Sequence, residues 1–380
     1  MKFLLLAILP AFLSCSDPVT PEISMDYVST IEIFLAASDQ RSLAEKPKSY
    51  VYGQVSIEGG DSIDIEVRLK GSGSFQPIHQ KPSFKIKFPK WFNKGRTSKL
   101  TLNSMVQDPT MMRECFGYDL MRDMGIHAPQ CSYAKVYLNG IFYGIYANIE
   151  SMDENFVKES FSDDEVGNLY DIEFAVTDWI KDHLSRFKLK TNKSNGISPE
   201  LVNLVSVSSL TGEEYLNEVG SKIDYEYNLK FIAMELLLHH GDGFFQQRNN
   251  YLLYQNPSTN RFQLIPWGMD QSQLDYEFPI FGLKKKGQSH FFTYCRKSPD
   301  CREDLTSQMK KILEKWDSEA LRKKLISLDQ LIKPLRDIDT KTPHDKAQIE
   351  KSVHELFEFY EKRKSFVQNQ INWPSDPIHF

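Results

Sequence analysis

The spacing of apolar residues changes along this chain, and that change limits the folds it can adopt. Up to about residue 150, apolar and polar side chains alternate with the period of β-strands, most strictly at Ser83–Phe88. Helical spacing follows, clearest from Asp224 to Gly241 and again beyond Glu303. Strands followed by helices predict an α+β fold. We expect two lobes, a β-rich N-lobe at about 26–150 and a helical C-lobe at about 151–375.

Turn residues place several elements within this pattern. A hairpin is predicted at 134–149, because Asn139-Gly140 suits a type I′ turn. Asp108, followed by Pro, is typical of a helix start, and Gly125 of a helix end. The Asn, Ser, Gly and Pro residues within 188–221 indicate a domain boundary or an insertion.

The first residues have the features of an export signal. The apolar run Phe3–Leu13 follows a basic start and is too short to span a bilayer comfortably as a helix. It ends near Cys15 and resembles a bacterial lipoprotein signal, in which such a Cys is lipidated. We expect a signal at 1–15, a tether at 16–25 and an exported lipoprotein of the cell envelope, held by its lipid alone on a periplasmic or surface face. An ordinary secretory signal with an incidental Cys is the alternative.

The cysteines fit an exported protein. Beyond the N-terminal Cys there are four, and an even number in an oxidising compartment suggests two disulfides, for which three pairings exist. Cys295 and Cys301 flank a short loop that a disulfide would close, and Cys115 and Cys131 would then pair. Buried free thiols are the alternative.

The overall charge gives no reason to expect a nucleic-acid partner. The chain has 46 Lys and Arg against 51 Asp and Glu, a formal net charge of −5. Nucleic acids and anionic membranes attract basic proteins, so neither is expected as a partner through charge.

A glycine and serine loop between two predicted strands is the first candidate for a ligand site. Backbone N–H groups of Gly71, Ser72, Gly73 and Ser74 could cover phosphates, and Arg68, Lys81 and Lys85 lie near them in sequence. The alternative is an ordinary turn beside a solvated strand face. Glu150 could pair with a strand Lys or hold a ribose hydroxyl, or it could cap the helix that follows.

Two acids and an Asn form the second candidate site. Asp242 follows a predicted helix end, and the hairpin that starts at Asn250 ends shortly before Asp270. A hairpin brings its ends together, so Asn250 and Asp270 can approach each other. Mg²⁺ or Mn²⁺ could be held by these oxygens together with substrate phosphates, while Asp242 orients or deprotonates a hydroxyl.

A series of sequence blocks resembles the CotH family, named for a bacterial spore-coat kinase. The resemblance covers roughly residues 50–275 and rests on the order of the blocks. The blocks are Arg68-Leu69-Lys70-Gly71-Ser72, Lys81-Pro82-Ser83-Phe84-Lys85, Tyr137-Leu138-Asn139-Gly140, Tyr143-Gly144 with Glu150, Asp242 with Asn249-Asn250-Tyr251, and Ile265-Pro266-Trp267 with Asp270.

The resemblance implies an atypical protein-kinase-like fold and ATP-dependent phosphorylation of Ser or Thr in a protein substrate. By that resemblance Asp242 is the catalytic acid, Asp270 binds the metal and Asn250 is its second ligand. The Gly71–Ser74 loop with Lys81 or Lys85 would contact the phosphates.

The sequence also departs from the family pattern. The family often has a second acid beside the catalytic one and another just after the Trp, whereas Gly241 and Gly243 flank Asp242 and Gly268 follows Trp267. ATP is also scarce outside the cytoplasm. The alternative is therefore a non-catalytic surface or coat-assembly binding protein on a pseudokinase scaffold, and a carbohydrate-associated surface module is a third hypothesis.

Overall fold

A computed structural model describes five stretches of the chain. They are residues 23–92, 98–161, 165–172, 176–281 and 287–371. The predicted signal, its Cys15 and most of the predicted tether therefore lie outside the described residues. In the stretches described, no helix is both long and apolar enough to cross a membrane.

The first part of the molecule is a seven-stranded closed barrel with two helices. Its elements are β1 (Val28–Phe34), α1 (Ala37–Glu45), β2 (Val51–Ile57), β3 (Ile63–Lys70), β4 (Ser83–Lys87), β5 (Lys99–Asn103), α2 (Arg113–Asp123), β6 (Cys131–Leu138) and β7 (Ile141–Ile149). The strand order around the barrel is β1-β2-β3-β4-β5-β7-β6, and β6 closes it by pairing in parallel with β1. Alternate side chains of these strands fill a separate apolar core inside the barrel.

The second part is mainly helical and surrounds a small sheet. Its elements are α3 (Glu154–Ser160), β8 (Asn168–Ile172), β9 (Phe187–Leu189), α4 (Pro199–Ser206), α5 (Gly212–Lys222), α6 (Tyr225–Leu237), α7 (Phe244–Gln247), β10 (Tyr251–Gln255), β11 (Phe262–Pro266), α8 (His290–Cys295), α9 (Pro299–Lys315), α10 (Ser318–Arg336) and α11 (Lys346–Ile371). The sheet has the order β11-β10-β8-β9. A β-rich N-terminal part and a helical C-terminal part confirm the predicted α+β class.

The predicted hairpin of β6 and β7 is confirmed. Leu138 pairs with Ile141 across the turn, and both turn residues have positive φ, 49° at Asn139 and 78° at Gly140. The Asn139 side chain also accepts from the backbone N–H of Leu35 and donates to its carbonyl, each at 2.8 Å. The turn therefore fixes the end of β1 as well as its own register.

One local prediction was wrong. Helix α2 begins at Arg113 rather than near Asp108. The Asp108 carboxylate still caps this helix from several residues upstream, because it accepts from the N–H groups of Met112 and Arg113 at 2.9 Å each. The segment 188–221, predicted as a domain boundary or an insertion, has secondary structure of its own. It contains α4, which begins at a Ser198 cap with Pro199 at its first position, and most of α5, so part of its turn-forming composition marks a helix start.

The structure contains both disulfides suggested by the spacing. Cys115 of α2 is joined to Cys131 at the start of β6, and Cys295 at the end of α8 is joined to Cys301 in α9. The first bond joins the helix that borders the candidate site to the barrel. All four cysteines are buried.

We predict that the two disulfides differ in their contribution to stability. A Cys115→Ala/Cys131→Ala variant should lower the free energy of unfolding by about 3 kcal/mol, because the bond closes a sequence separation of 16 residues. Cys295→Ala/Cys301→Ala should cost about 2 kcal/mol, since the separation is 6. Urea unfolding of protein from an oxidising compartment measures both. A larger loss from the shorter loop would contradict the loop-entropy argument.

Candidate active site

A cleft of about 660 Å³ lies between the barrel and the helical part. The barrel contributes polar side chains from β3, β4 and β5, and the helical part contributes the two loops that flank the β10–β11 hairpin. The residues discussed below that line the cleft are Arg68, Lys70, Gly71, Ser72, Gly73, Ser74, Lys85, Thr101, Asn103, Glu114, Asp171, Lys190, Asp242, Asn249, Asn250, Trp267, Gly268 and Asp270.

The three residues predicted to surround a cation all line this cleft. The hairpin positions them, because Tyr251 pairs with Pro266 and the N–H of Trp267 donates to the carbonyl of Asn250 at 3.0 Å. Asp242 Oδ2 accepts from the side-chain amide of Asn250 at 2.7 Å and from that of Asn249 at 3.1 Å. Two amides therefore hold one oxygen of the Asp242 carboxylate.

Gly268 has a structural reason to be glycine. Its φ is 54°, in the left-handed region, and a Cβ at this position would lie 2.7 Å from Asn250 Oδ1. The acid that the family pattern often places after the Trp would therefore collide with Asn250. The departure noted in the sequence is an accommodation of the Asn250 side chain.

The loop that carries Asp242 is fastened by a buried acid and a histidine. Glu235 accepts from the N–H groups of Phe244 and Phe245 at 2.9 and 3.0 Å. His240 Nδ1 lies 3.2 Å from Glu235 Oε1, and its Nε2 lies 3.2 Å from the carbonyl oxygen of Gly268. Both neighbours are acceptors, and only a doubly protonated ring donates to both. Burial lowers the pKa of His240, but the hydrogen bond and charge of Glu235, with the charge of Asp242 and the Gly268 carbonyl, raise it overall.

Lys85 reaches the cleft from β4, as predicted. Its ammonium donates to Thr101 Oγ1 at 2.9 Å. Burial, followed by the charges of Lys190, Lys70 and Lys99, lowers the pKa of Lys85 to about 7. Because burial and the neighbouring lysines disfavour its charged form, the Lys85 cation would be stabilised by an anionic ligand.

Lys70, the residue before the glycine and serine loop, also lines the cleft, although it was not among the predicted site residues. It ends β3 on the same face as Arg68, and its ammonium lies 5.7 Å from the centre of the Trp267 ring. Burial lowers the pKa of Lys70, while the charges of Glu114 and Asp270 act in the opposite direction. The two-residue period of β3 is the signal that could have found it.

Glu114 is a second cleft residue that the sequence analysis did not identify. It lies in the first turn of α2, where it accepts from Asn103 Nδ2 at 2.5 Å and from the Tyr118 hydroxyl at 3.0 Å. Burial and then the charge of Asp270 raise the pKa of Glu114 to about 7. Burial also raises the pKa of Asp270. No local sequence signal marks Glu114, because it meets the cleft only through the packing of α2.

The glycine and serine loop and Arg68 border the cleft, as predicted. Gly71 has a φ of 114°, a value that favours glycine, and the N–H of Phe75 closes the loop on the carbonyl of Ser72 at 3.3 Å. Arg68 stacks over the ring of Tyr50, 5.4 Å from its centre. The N–H groups of the loop are thus next to the cations of β3 and β4.

Lys81 and Glu150 do not line the cleft. Lys81 is buried and its ammonium lies 2.6 Å from Asp339 Oδ2, beyond the end of α10. It precedes the first residue of β4, so the face alternation that places Lys85 does not apply to it. Glu150 is buried below the barrel end, where it accepts from the N–H of Gln130 at 2.9 Å. Both positions indicate structural roles.

Comparison with known proteins identifies the family. Residues 67–367 match the family model described as CotH kinase protein. The chain belongs to the CotH kinase protein family. The resemblance seen in the sequence is thereby confirmed.

Curated relatives of this family member come from bacteria and fungi. The inner spore coat protein H of Bacillus subtilis is 22% identical over 329 residues, which cover 82% of this chain and 88% of that protein. The invasin CotH2 of Rhizopus delemar is 23% identical over 231 residues, covering 56% of this chain and 39% of that protein. Among solved structures, the Helicobacter pylori proinflammatory kinase CtkA aligns with 87% of this chain and 96% of its own, with 10% identity and a TM-score of 0.38.

We predict that Lys81 acts on stability rather than on ligand binding. Lys81→Met should lower the free energy of unfolding by about 3–5 kcal/mol, because it leaves the Asp339 carboxylate buried without its cation. Lys87→Met is the matched control, since Lys87 pairs with Glu66 in a half-exposed bridge whose loss should cost at most about 1 kcal/mol. Denaturant unfolding measures both. A Lys81→Met protein that kept normal stability but lost ligand binding would contradict this prediction and give Lys81 a role in the cleft.

Proposed function

We propose that this chain is an exported protein kinase that transfers the γ-phosphoryl group of ATP to a Ser or Thr hydroxyl of a protein substrate. The observation that carries the proposal is the convergence of Asp242, Asn250 and Asp270 on one cleft with Lys70 and Lys85. Family membership supports a kinase-like activity. Acids and an amide on one wall and cations on the other suit a metal-bound polyphosphate.

The donor set fits Mg²⁺ or Mn²⁺ with a nucleotide. Asp270 and the side-chain oxygen of Asn250 would hold the cation, which when bound neutralises phosphate charge. The described residues contain no cluster of three or more His, Cys, Asp or Glu that could hold an ion. Mg²⁺ commonly takes one or two carboxylates and fills its shell with phosphate and water, so a small protein contribution is sufficient.

The barrel side of the cleft would hold the phosphates. Lys70 and Lys85 supply positive charge from adjacent strands, and the Gly71–Ser74 loop supplies backbone N–H groups. Both ammonium groups are desolvated, so a phosphate bound to them would encounter little competition from water.

Asp242 would position the acceptor hydroxyl. Asn249 and Asn250 hold its Oδ2, and Oδ1 is then directed to a substrate. The Ser or Thr oxygen forms a bond to the γ-phosphorus as the bond to the β–γ bridging oxygen breaks. The hydroxyl proton passes to Asp242, and ADP leaves. Most of the rate enhancement would come from positioning and charge neutralisation.

The proposed location is outside the cytoplasm, at the surface of a bacterial cell envelope. Two disulfides suit an oxidising compartment. The curated relatives include a spore coat protein and an invasin. A lipid on Cys15 would anchor the domain, and the net charge of −5 gives nucleic acid no basis for binding.

A non-catalytic scaffold is the second candidate. The observation that favours it is the pair of amides on Asp242. The Asn250 amide N–H donates to that carboxylate and is therefore not free to donate to a ligand. In that case the fold would serve assembly or adhesion through its surface, and nucleotide would be irrelevant to it.

We predict that two single-atom exchanges separate catalysis from binding. Asp242→Asn should reduce transfer of labelled phosphate to casein or to the protein itself by about 10²- to 10⁴-fold, the usual contribution of a general base. It should keep the thermal stabilisation by Mg·ATP, because Asp242 is not assigned to the cation. Asp270→Asn should lose that stabilisation, which for wild type reaches about 2.7 kcal/mol at a hundredfold excess over Kd.

The control for these variants is Asp171→Asn, a carboxylate of the same cleft that pairs with Lys190. It should leave metal dependence intact. Two results together would contradict the kinase proposal and favour the non-catalytic scaffold. Wild type would transfer no more phosphate than Asp242→Asn, and millimolar Mg·ATP would not raise the melting temperature of wild type.

We predict that nucleotide affinity falls as pH rises from 7 to 9. The pKa of Lys85 is lowered to about 7, first by burial and then by Lys190, Lys70 and Lys99, with Asp153 opposing. Below this pKa Lys85 is a cation, which phosphate favours, and above it binding must take up a proton. Affinity should therefore fall by up to about tenfold per pH unit in this window. Calorimetry in buffers of different ionisation enthalpy measures the proton uptake.

The matched control is Lys87→Met, which removes the neighbouring outward-facing cation of the same strand. Lys87→Met should keep the decrease of nucleotide affinity with pH, whereas Lys85→Met should abolish it. An unchanged decrease in Lys85→Met would mean that another group takes up the proton on binding.

A further inference from the structure

The peptide groups of Gly268 are held from two sides. Its N–H donates to the Tyr118 hydroxyl at 2.8 Å, and its carbonyl lies 3.2 Å from His240 Nε2. Tyr118 belongs to α2, and His240 belongs to the loop of Asp242. Three separate segments therefore meet at one residue of the loop that carries Asp270.

The Tyr118 hydroxyl connects this residue to the barrel. It donates to Glu114 Oε1 at 3.0 Å, and Glu114 Oε2 accepts from Asn103 at the end of β5 at 2.5 Å. Tyr118 and Glu114 are buried. A continuous chain of hydrogen bonds thus runs from β5 through α2 to Gly268.

The position of Gly268 controls both proposed cation ligands. Asn250 Oδ1 lies so close that a Cβ on Gly268 would be 2.7 Å from it, and Asp270 follows two residues later in the turn Met269–Gln271. A displacement of the Gly268 backbone would therefore move the Asp270 carboxylate relative to the Asn250 oxygen.

Packing alone does not explain the Tyr118 hydroxyl. Tyr133 and Tyr146 are equally buried, and within the described stretches no protein group forms a hydrogen bond with their hydroxyls. The hydroxyl of Tyr118, by contrast, bridges an acid of the cleft and the backbone of the Asp270 loop.

We propose that Tyr118 is a positioning residue for the cation site, and that α2 sets the geometry of Asn250 and Asp270 through it. The inference rests on the proposed function. Removing the hydroxyl leaves the Gly268 N–H without its acceptor and frees the loop to shift. Supporting groups of this kind change metal affinity by about 10- to 100-fold when removed.

The test compares Tyr118→Phe with Tyr133→Phe in the full chain. Both remove one hydroxyl from a buried ring, but only the first hydroxyl has partners. Mn²⁺ binding is titrated by electron paramagnetic resonance in the presence of ADP. We expect Tyr118→Phe to weaken Mn²⁺ by about 10- to 100-fold and Tyr133→Phe to leave it unchanged.

Activity supplies a second readout that a purely structural role would not move. The Mg²⁺ concentration at half-maximal rate should rise in Tyr118→Phe, and kcat at saturating Mg²⁺ should recover most of its wild-type value. Gly268→Ala, which crowds Asn250 directly, should weaken Mn²⁺ while leaving the Tyr118 hydroxyl in place.

The outcomes distinguish the two proposals. Equal Mn²⁺ affinity in wild type and Tyr118→Phe would overturn the inference and leave the kinase proposal standing. Absence of Mn²⁺ binding by wild type with nucleotide would overturn the cation site and the kinase proposal with it. A matching loss in Tyr133→Phe would show that the effect comes from the core and would also overturn the inference.

Discussion

The antiparallel pairing of β10 with β11 is the constraint on which the cleft depends. It brings Asn250 at the start of one strand next to Trp267 at the end of the other. The loop before the hairpin carries Asp242 and the loop after it carries Asp270, so a single ladder of backbone hydrogen bonds fixes both acids in space. Loops can carry polar groups in geometries that a regular element would not allow, provided that a rigid element holds their ends. Here the hairpin is that element, and its buried apolar strands explain why it is rigid.

The barrel presents cations of two kinds to the helical part. Lys81 and Asp339 form a matched pair, and Asp339 also accepts from the backbone of β7, where Gly144 leaves room for it. Such a pair has no remaining charge to offer a ligand. The cleft is different, since Lys70 and Lys85 reach it without a carboxylate at hydrogen-bond distance in the described part of the chain. The same barrel therefore carries cations that tie it to the helical part, such as Lys81, and others that remain available to a ligand.

Sequence reasoning succeeded where a local pattern determines the outcome. The Asn139-Gly140 turn and the two disulfides follow from spacing, and the α+β class follows from the change of period along the chain. It failed at Lys81, which is near the loop in sequence but not in space, and at Glu114, whose role depends on how α2 packs across more than a hundred residues of sequence. Non-local packing has no signature in a single sequence, so residues that meet the cleft through α2 could not be found from it.

The energetics of the cleft bear on whether it binds a ligand. Burying a carboxylate or an ammonium without a close partner destabilises a fold, and proteins that gain nothing from such groups replace them with apolar ones at no loss of stability. In this cleft burial raises the pKa of Glu114 and Asp270 and lowers that of Lys70 and Lys85, so each group is displaced from its ordinary range. Clusters of oppositely displaced acids and bases in a concave site are characteristic of functional sites. A cation bound among the acids and a phosphate bound among the lysines would shift these pKa values back toward their ordinary ranges. That compensation favours a nucleotide site over a purely structural role for these residues.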